Sequence, residues 1–235
     1  PDAGSESGVD HNRTEGGAAV KLEHGTPREI EGESMRIIGQ ELEAMGIVLP
    51  AGCEAVVKRA IHTTADFDYA RNLCFTPGAV EAGVAALRAG TALVTDTNMA
   101  LSGVNRGACE QLGVERFCYM ADPQVAERAR TEHTTRAAAA VDRWAVDHPA
   151  GIFAVGNAPT ALLRLAEWME AGKIRPALVI GAPVGFVNVV ESKEQIWSVC
   201  QTLGVPAIVA MGRKGGSTVA AAVCNALLYQ AAGLR

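Results

Sequence analysis

AIVAMGRKGGSTVAAAVCNAL (Ala207–Leu227) carries an apolar strand into a glycine-rich loop and then into an alanine-rich helix. Two upstream stretches repeat the pattern, IFAVGNAPTALLRL (Ile152–Leu165) and ALVIGAPVGFVNVVESKEQ (Ala177–Gln195). Short apolar runs bounded by small residues read as buried strands. Strands alternating with helices define a parallel sheet joined by right-handed crossovers and covered on both faces. In such sheets ligands sit outside the carboxyl ends of the strands, where glycines admit them to the backbone and helix N-termini offer free N–H groups. A site is therefore expected in these three loops.

Working outward, TALVTDT (Thr91–Thr97) reads as a further buried strand and RFCYM (Arg116–Met120) as a shorter one. Pro27–Met45 is predicted as a helix, with Pro27 in its first turn and Thr26 and Glu29 at capping-box spacing. A second helix over Glu54–His62 buries Val56, Val57, Ala60 and Ile61. A third spans Pro77–Ala89 and stops at Gly90. Asp122–His148 is mostly helical. The expected fold is α/β, a single-domain three-layer sandwich with a mainly parallel sheet flanked by helices, over residues 20–235. Pro1–Ala19, rich in Gly, Ser, Asp and Glu, is expected as a flexible tail.

The chain has 235 residues, 49% hydrophobic and 20% charged, enough for one large core. A net charge of −5 argues against general nucleic-acid binding, yet allows a local arginine cluster around an acidic ligand. The six cysteines form neither a CxxC pair nor a zinc spacing, and read as reduced thiols of a cytoplasmic protein. No apolar run reaches the ~18–20 residues of a membrane span. HExxH, GxSxG, a Walker A loop and a GxGxxG after a strand are all missing from the sequence, so neither a metal nor a cofactor is expected.

Several polar residues are candidates for chemistry. Arg59 and His62 share a helix face if the second helix reaches His62. A neighbouring guanidinium disfavours a second positive charge and leaves the imidazole free to exchange a proton. The alternative is a surface histidine beside a solvated arginine. Thr95, Asp96, Thr97 and Asn98 fall at the sheet edge, where Asp96 either meets a ligand or metal or belongs to an ordinary helix cap. Arg136, just after Thr134 and Thr135, sits in a helical first turn where a cation is unfavourable; it is either put to a use such as holding a carboxylate or is a solvated arginine. Asn157 and Thr160 flank Pro159. Glu191 and Lys193 charge the next connection. Arg213, Lys214 and Ser217 frame GRKGGS (Gly212–Ser217), an anion cradle or a structural glycine turn.

Together these stretches resemble the precorrin-8X methylmutase family. The resemblance rests on IHTTADFDYA (Ile61–Ala70), TDTNMALSGVNR (Thr95–Arg106), GNAPTAL (Gly156–Leu162), PVGFVNVVESKE (Pro183–Glu194) and GRKGGSTVAAAVCNAL (Gly212–Leu227), in family order. Their wording is similar to the cobalt-precorrin branch. The resemblance implies an isomerase of cobalamin biosynthesis that shifts a methyl group from C11 to C12 of (cobalt-)precorrin-8 without an external donor. It puts the proton donor/acceptor on His62 and substrate contacts on Ser34, Arg59 and Arg136. Thr97, Asn157, Thr160, Lys193, Arg213, Lys214 and Ser217 are the further binding residues expected from the loops, and Arg106 joins the cations expected at the rim. It also implies a homodimer with its site near the subunit interface. Met35 stands where many members carry an aromatic residue. A non-catalytic corrinoid carrier, and a phosphate-sugar or nucleotide enzyme using GRKGGS, are the rival readings.

Overall fold

Five strands run parallel: β2 (Leu93–Thr95), β3 (Arg116–Phe117), β4 (Ile152–Val155), β5 (Leu178–Gly181) and β6 (Ala207–Ala210). A sixth, β1 (Leu73–Phe75), pairs antiparallel with β6, Leu73 opposite Ala210 and Phe75 opposite Ile208. The order across the sheet is β1-β6-β5-β4-β2-β3. The computed structural model describes residues 25–234, so the tail expected at Pro1–Ala19 lies outside the described residues.

Alternation along the strands sorts the core into two layers, as the period-two pleat requires. Ile152, Ala154, Leu178, Ile180 and Ile208 face one core, with residues of α1 (Pro27–Ala44), α2 (Glu54–Thr64), α4 (Ala79–Arg88) and α11 (Ser217–Ala232). Phe153, Val155, Val179, Ala207 and Val209 face the other, under α8 (Arg136–Asp147), α9 (Pro159–Glu170) and α10 (Val189–Leu203). Helix α7 (Pro123–Thr131) packs on α8, and the short α5 (Asn98–Gly103) and α6 (Arg106–Leu112) pack on α11. The three-layer α/β sandwich expected from the alternation of strands and helices is the fold observed.

Helix α11 is the pivot of the first layer. Ala220–Cys224 and Ala226–Leu228 are buried on all sides, and the helix touches α2, α4, α5 and α6 as well as the sheet. A helix apolar all round belongs inside a protein, and truncating Leu227 to Ala there would cost about 2–5 kcal/mol. Small alanines let its neighbours approach closely.

Local signals account for most boundaries. The capping box of α1 forms as the spacing required, Thr26 and Glu29 bonding reciprocally. Helix α2 runs two residues beyond His62 and ends where Ala65 turns left-handed at φ 53°. The third predicted helix starts at Ala79, not Pro77, because Gly78 is left-handed at φ 71°. Asp122–His148 breaks into α7 and α8 at His133, φ 51°. Strand β1 and the single turn α3 (Tyr69–Asn72) that leads into it were not expected. Among the described residues no helix is long and apolar enough to cross a membrane.

Candidate active site

The carboxyl ends of β2, β4, β5 and β6 open on one edge, and hydrogen bonds knit their loops into a single surface. Asp96, 1% exposed, follows β2. Its Oδ1 accepts from the Gly156 amide at 2.7 Å, and its Oδ2 accepts from Asn157 and Ala158 at 2.8 Å each. Those amides precede α9, whose N-cap Ala158 has no capping side chain. Asp96 supplies the missing anion from another loop. Burial pushes its carboxyl above the ordinary range while the three amides pull it down. Both oxygens are engaged within the protein, so Asp96 is a loop clamp here, not an open ligand for a metal or substrate.

Thr97 caps α5 by accepting from the Ala100 amide at 3.0 Å and shares a 2.7 Å hydrogen bond with Ser217 Oγ. Thr135 caps α8 and meets Thr160 Oγ1 at 2.8 Å. This sets Arg136, exposed in the first turn of α8, beside the start of α9. Asn157 is exposed on the same edge. The loops touch so closely that a Cβ on Gly156 would fall 2.7 Å from Ser217 Cα, and one on Gly215 only 2.3 Å from the Ala182 carbonyl oxygen. Only glycine fits at either position.

The Gly212–Ser217 loop divides its two cations. Arg213 is exposed and its guanidinium lies 5.6 Å from the ring centre of Phe186, itself 84% exposed. Lys214 Nζ donates to Asp66 Oδ2 at 2.5 Å and Asp68 Oδ2 at 2.6 Å, which draws the loop to the turn after α2. That ammonium holds the Asp66 carboxyl below its usual range. Lys193, expected at the rim, is not there. It is fully buried, and its Nζ donates to the carbonyls of Gly212 and Lys214 at 2.8 Å each. Burial pushes its pKa down to about 8.

His62 is exposed on the last turn of α2, just before that turn. One helical turn earlier, Arg59 pairs with Glu31 at 2.5 Å and stacks over the Tyr229 ring at 4.8 Å. Arg28, Glu31, Met35, Arg59 and Leu234 line a cleft of about 620 Å³ between α1 and the end of α11. Ser34, half-buried, donates its hydroxyl to the Ile30 carbonyl at 3.0 Å. Ser34 and Arg59 therefore belong to the far end of α11. At ~1.5 Å rise per residue, Tyr229 stands about 18 Å from Ser217. Arg106 pairs with Glu110 at 2.6 Å.

The structure thus brings Thr97, Arg136, Asn157, Thr160, Arg213, Lys214 and Ser217 to one edge, with His62 at its border and Ser34 and Arg59 beyond it. Glu31, Asp66, Asp68, Phe186 and Tyr229 were not singled out from the sequence. Their only signal was membership of the quoted stretches, for Asp66, Asp68 and Phe186. Among the described residues no group of three or more His, Cys, Asp or Glu side chains is placed to hold a metal ion.

Fold and site define an α/β enzyme with a broad, loop-built surface that carries the exposed Arg136 and Arg213 and is bordered by one exposed imidazole. The chain belongs to the precorrin-8X methylmutase family, whose model matches residues 29–230. It is 42% identical to a cobalt-precorrin-8 methylmutase of Priestia megaterium, over 86% of this chain and 87% of that one. It is 48% identical to the cobalt-precorrin-8 methylmutase of Salmonella typhimurium over 75% and 80%, and 39% identical to the precorrin-8X methylmutase of Pseudomonas aeruginosa over 83% and 91%. The crystal structure of a precorrin-8x methyl mutase from Thermus thermophilus superimposes with a TM-score of 0.78 at 41% identity, covering 88% of this chain and 98% of that chain.

Proposed function

We propose that this enzyme moves a methyl group from C11 to C12 of precorrin-8, with His62 as the proton donor and acceptor. The observation that carries the reading is the placement of His62. It is a solvent-open imidazole at the border of a cationic edge, on a helix anchored behind it by Asp66, Asp68 and Lys214. The macrocycle is flat, apolar and ringed with carboxylates. Arg136 and Arg213 are exposed cations for its rim, and Phe186 offers an apolar face.

The shift is intramolecular. The migrating carbon leaves C11 as it bonds to C12, and no external donor enters. His62 delivers a proton to the ring, which makes the migration terminus electron-poor, and recovers it afterwards. Holding the ring flat against the loops supplies positioning. The names carried by the Priestia and Salmonella relatives favour the cobalt-containing ring as substrate.

The reading includes a homodimer in the cytoplasm with its site near the interface. Ile30, Ile37, Phe186 and Val187 support it, being 42–84% exposed around the proposed binding residues. All six cysteines are free, which suits a reducing compartment. His62→Ala is expected to abolish turnover of both the metal-free and the cobalt ring while the coloured product still binds. Near-normal turnover by that variant removes the role of His62. Binding without turnover by the unaltered protein would make it a carrier.

A further inference from the structure

We propose that Lys193 is a positioning residue for this reaction: its ammonium, seated beneath the Gly212–Ser217 loop on two carbonyl oxygens, sets the loop that in turn anchors the segment behind His62. The proposal rests on His62 being the proton-transfer group.

A buried ammonium without a counter-ion is expensive, and an apolar side chain would fill the same space at less cost. Lys193 is 0% exposed, and no carboxylate pairs with it through any ion pair or hydrogen bond of the described residues. Burial is the sole cause of its lowered pKa. The groups that face it from the β6–α11 connection are the carbonyls of Gly212 and Lys214. From α9, the helix packed along α10, the buried residues are Ala161, Leu162, Leu165, Ala166 and Met169, all apolar. Arg213 and Lys214 of the loop are exposed, as are Glu191 and Glu194 on its own helix.

The two acceptors flank Arg213. Pulling both carbonyls inward onto one ammonium fixes the loop as a bow, with the side chains of Arg213 and Lys214 on its outer side. The Gly185 amide, which donates to the Arg213 carbonyl at 3.3 Å, holds the bow to the β5 loop. Lys214 then grips Asp66 and Asp68, and Asp66 stands four residues after His62. Charge-assisted bonds are shorter and stronger than neutral ones, so a neutral amine at Lys193 holds the bow less firmly. The chain of contact is Lys193, loop, Lys214, Asp66 and Asp68, then the end of α2.

The test uses Lys193→Met, Lys214→Met and the double variant, each checked for folding by circular dichroism. Lys193→Met is expected to lower kcat about tenfold with KM moved less than about threefold, and the double variant should be no slower than the worse single one, since residues acting as one unit are non-additive. Multiplying effects, or an unchanged kcat per folded molecule, would overturn the proposal.

A second measurement covers the case in which Lys193→Met does not fold. The imidazole carbon-bound proton resonance of His62, assigned by its loss in His62→Gln, is followed against pH in the unaltered protein. A second inflection near the pKa of Lys193, about 8, is expected, and it should vanish in Lys214→Met. A resonance that reports only its own titration sinks the coupling. This readout needs no turnover, so failure of the coupling is told apart from failure of His62 as the catalytic group, which His62→Ala decides.

Discussion

Asp66 and Lys214 are separated by 148 positions in sequence and meet at 2.5 Å through Oδ2 and Nζ. The pair, with Asp68 as third member, joins the turn after α2 to the loop before α11. Both side chains are partly open to water, and ion pairs of that kind add little to stability. Their effect is geometric, because they fix where the last turn of α2 ends.

Asp66→Asn combined with Asp68→Asn should therefore change the melting temperature by only a few degrees. The same variant should lose kcat about tenfold while binding product almost normally, the signature of an interaction used in the chemical step. Equal losses in binding and kcat would mean that the two carboxylates shape the binding surface instead. Steady-state rates and product titration followed by absorbance separate the two outcomes.

Arg59 is held by a carboxylate and an aromatic face at once, Glu31 at 2.5 Å and Tyr229 at 4.8 Å. If Arg59 takes a substrate carboxylate, Glu31 competes for the same guanidinium. Glu31→Gln is then expected to tighten product binding several-fold, about 1 kcal/mol, while kcat stays within about twofold. Looser binding would show that Glu31 serves to orient Arg59. Fluorescence or absorbance titration at two salt concentrations reads the difference.

Asp96 carries three amide donors on one buried carboxylate. Asp96→Ala strands those donors and should cost about 2–3 kcal/mol in urea unfolding, the upper part of the range for leaving buried amide donors unsatisfied. Asp96→Asn keeps the shape but turns an amide N–H toward donors, and about 2 kcal/mol is expected there. A loss below about 0.5 kcal/mol in Asp96→Ala, the scale of an ordinary surface substitution, would show that water replaces the clamp.

Lys193 sets an opposed dependence of stability and activity on pH. Its pKa is about 8 in the folded chain against 10.5 for an ordinary lysine. Between those limits the unfolded chain holds a proton that the folded chain has released, so this group adds stability as pH rises through that window. The charged form costs roughly 3 kcal/mol below it, at about 1.4 kcal/mol per pKa unit. Urea unfolding of the unaltered protein should gain on Lys193→Met between pH 7 and pH 10.5 by an amount of that order. A flat difference over that range would mean that Lys193 titrates as it does in water.

Much of this was legible in the sequence, for identifiable reasons. The strand–loop–helix units announce themselves because each strand is apolar throughout and each loop needs small residues. Thr26 with Glu29, and Thr135 ahead of Arg136, are local capping signals that survive folding. Strand β1 has no such signal. Its three residues, Leu73–Phe75, pair only because β6 offers an edge. Lys193 misled because a charged residue between Ser192 and Glu194 reads as solvent-facing. Its burial is decided by a loop some twenty residues downstream. Asp96 left open a ligand contact or an ordinary helix cap, and Asp66 was not singled out, because the donors of both come from distant segments.

Helix α11 follows every other described element in sequence, yet it lies at the centre of one core layer and supplies Ser217 to the loop edge. A nascent chain that has not yet released this helix from the ribosome leaves α2, α4, α5 and α6 with an uncovered apolar face. Contacts so distant in sequence form slowly, and exposed apolar surface of that kind invites aggregation. Until this helix docks, the chain therefore lacks the middle of one core layer and the Ser217 side of the loop edge at the same time, and a deletion within α11 should forfeit both together.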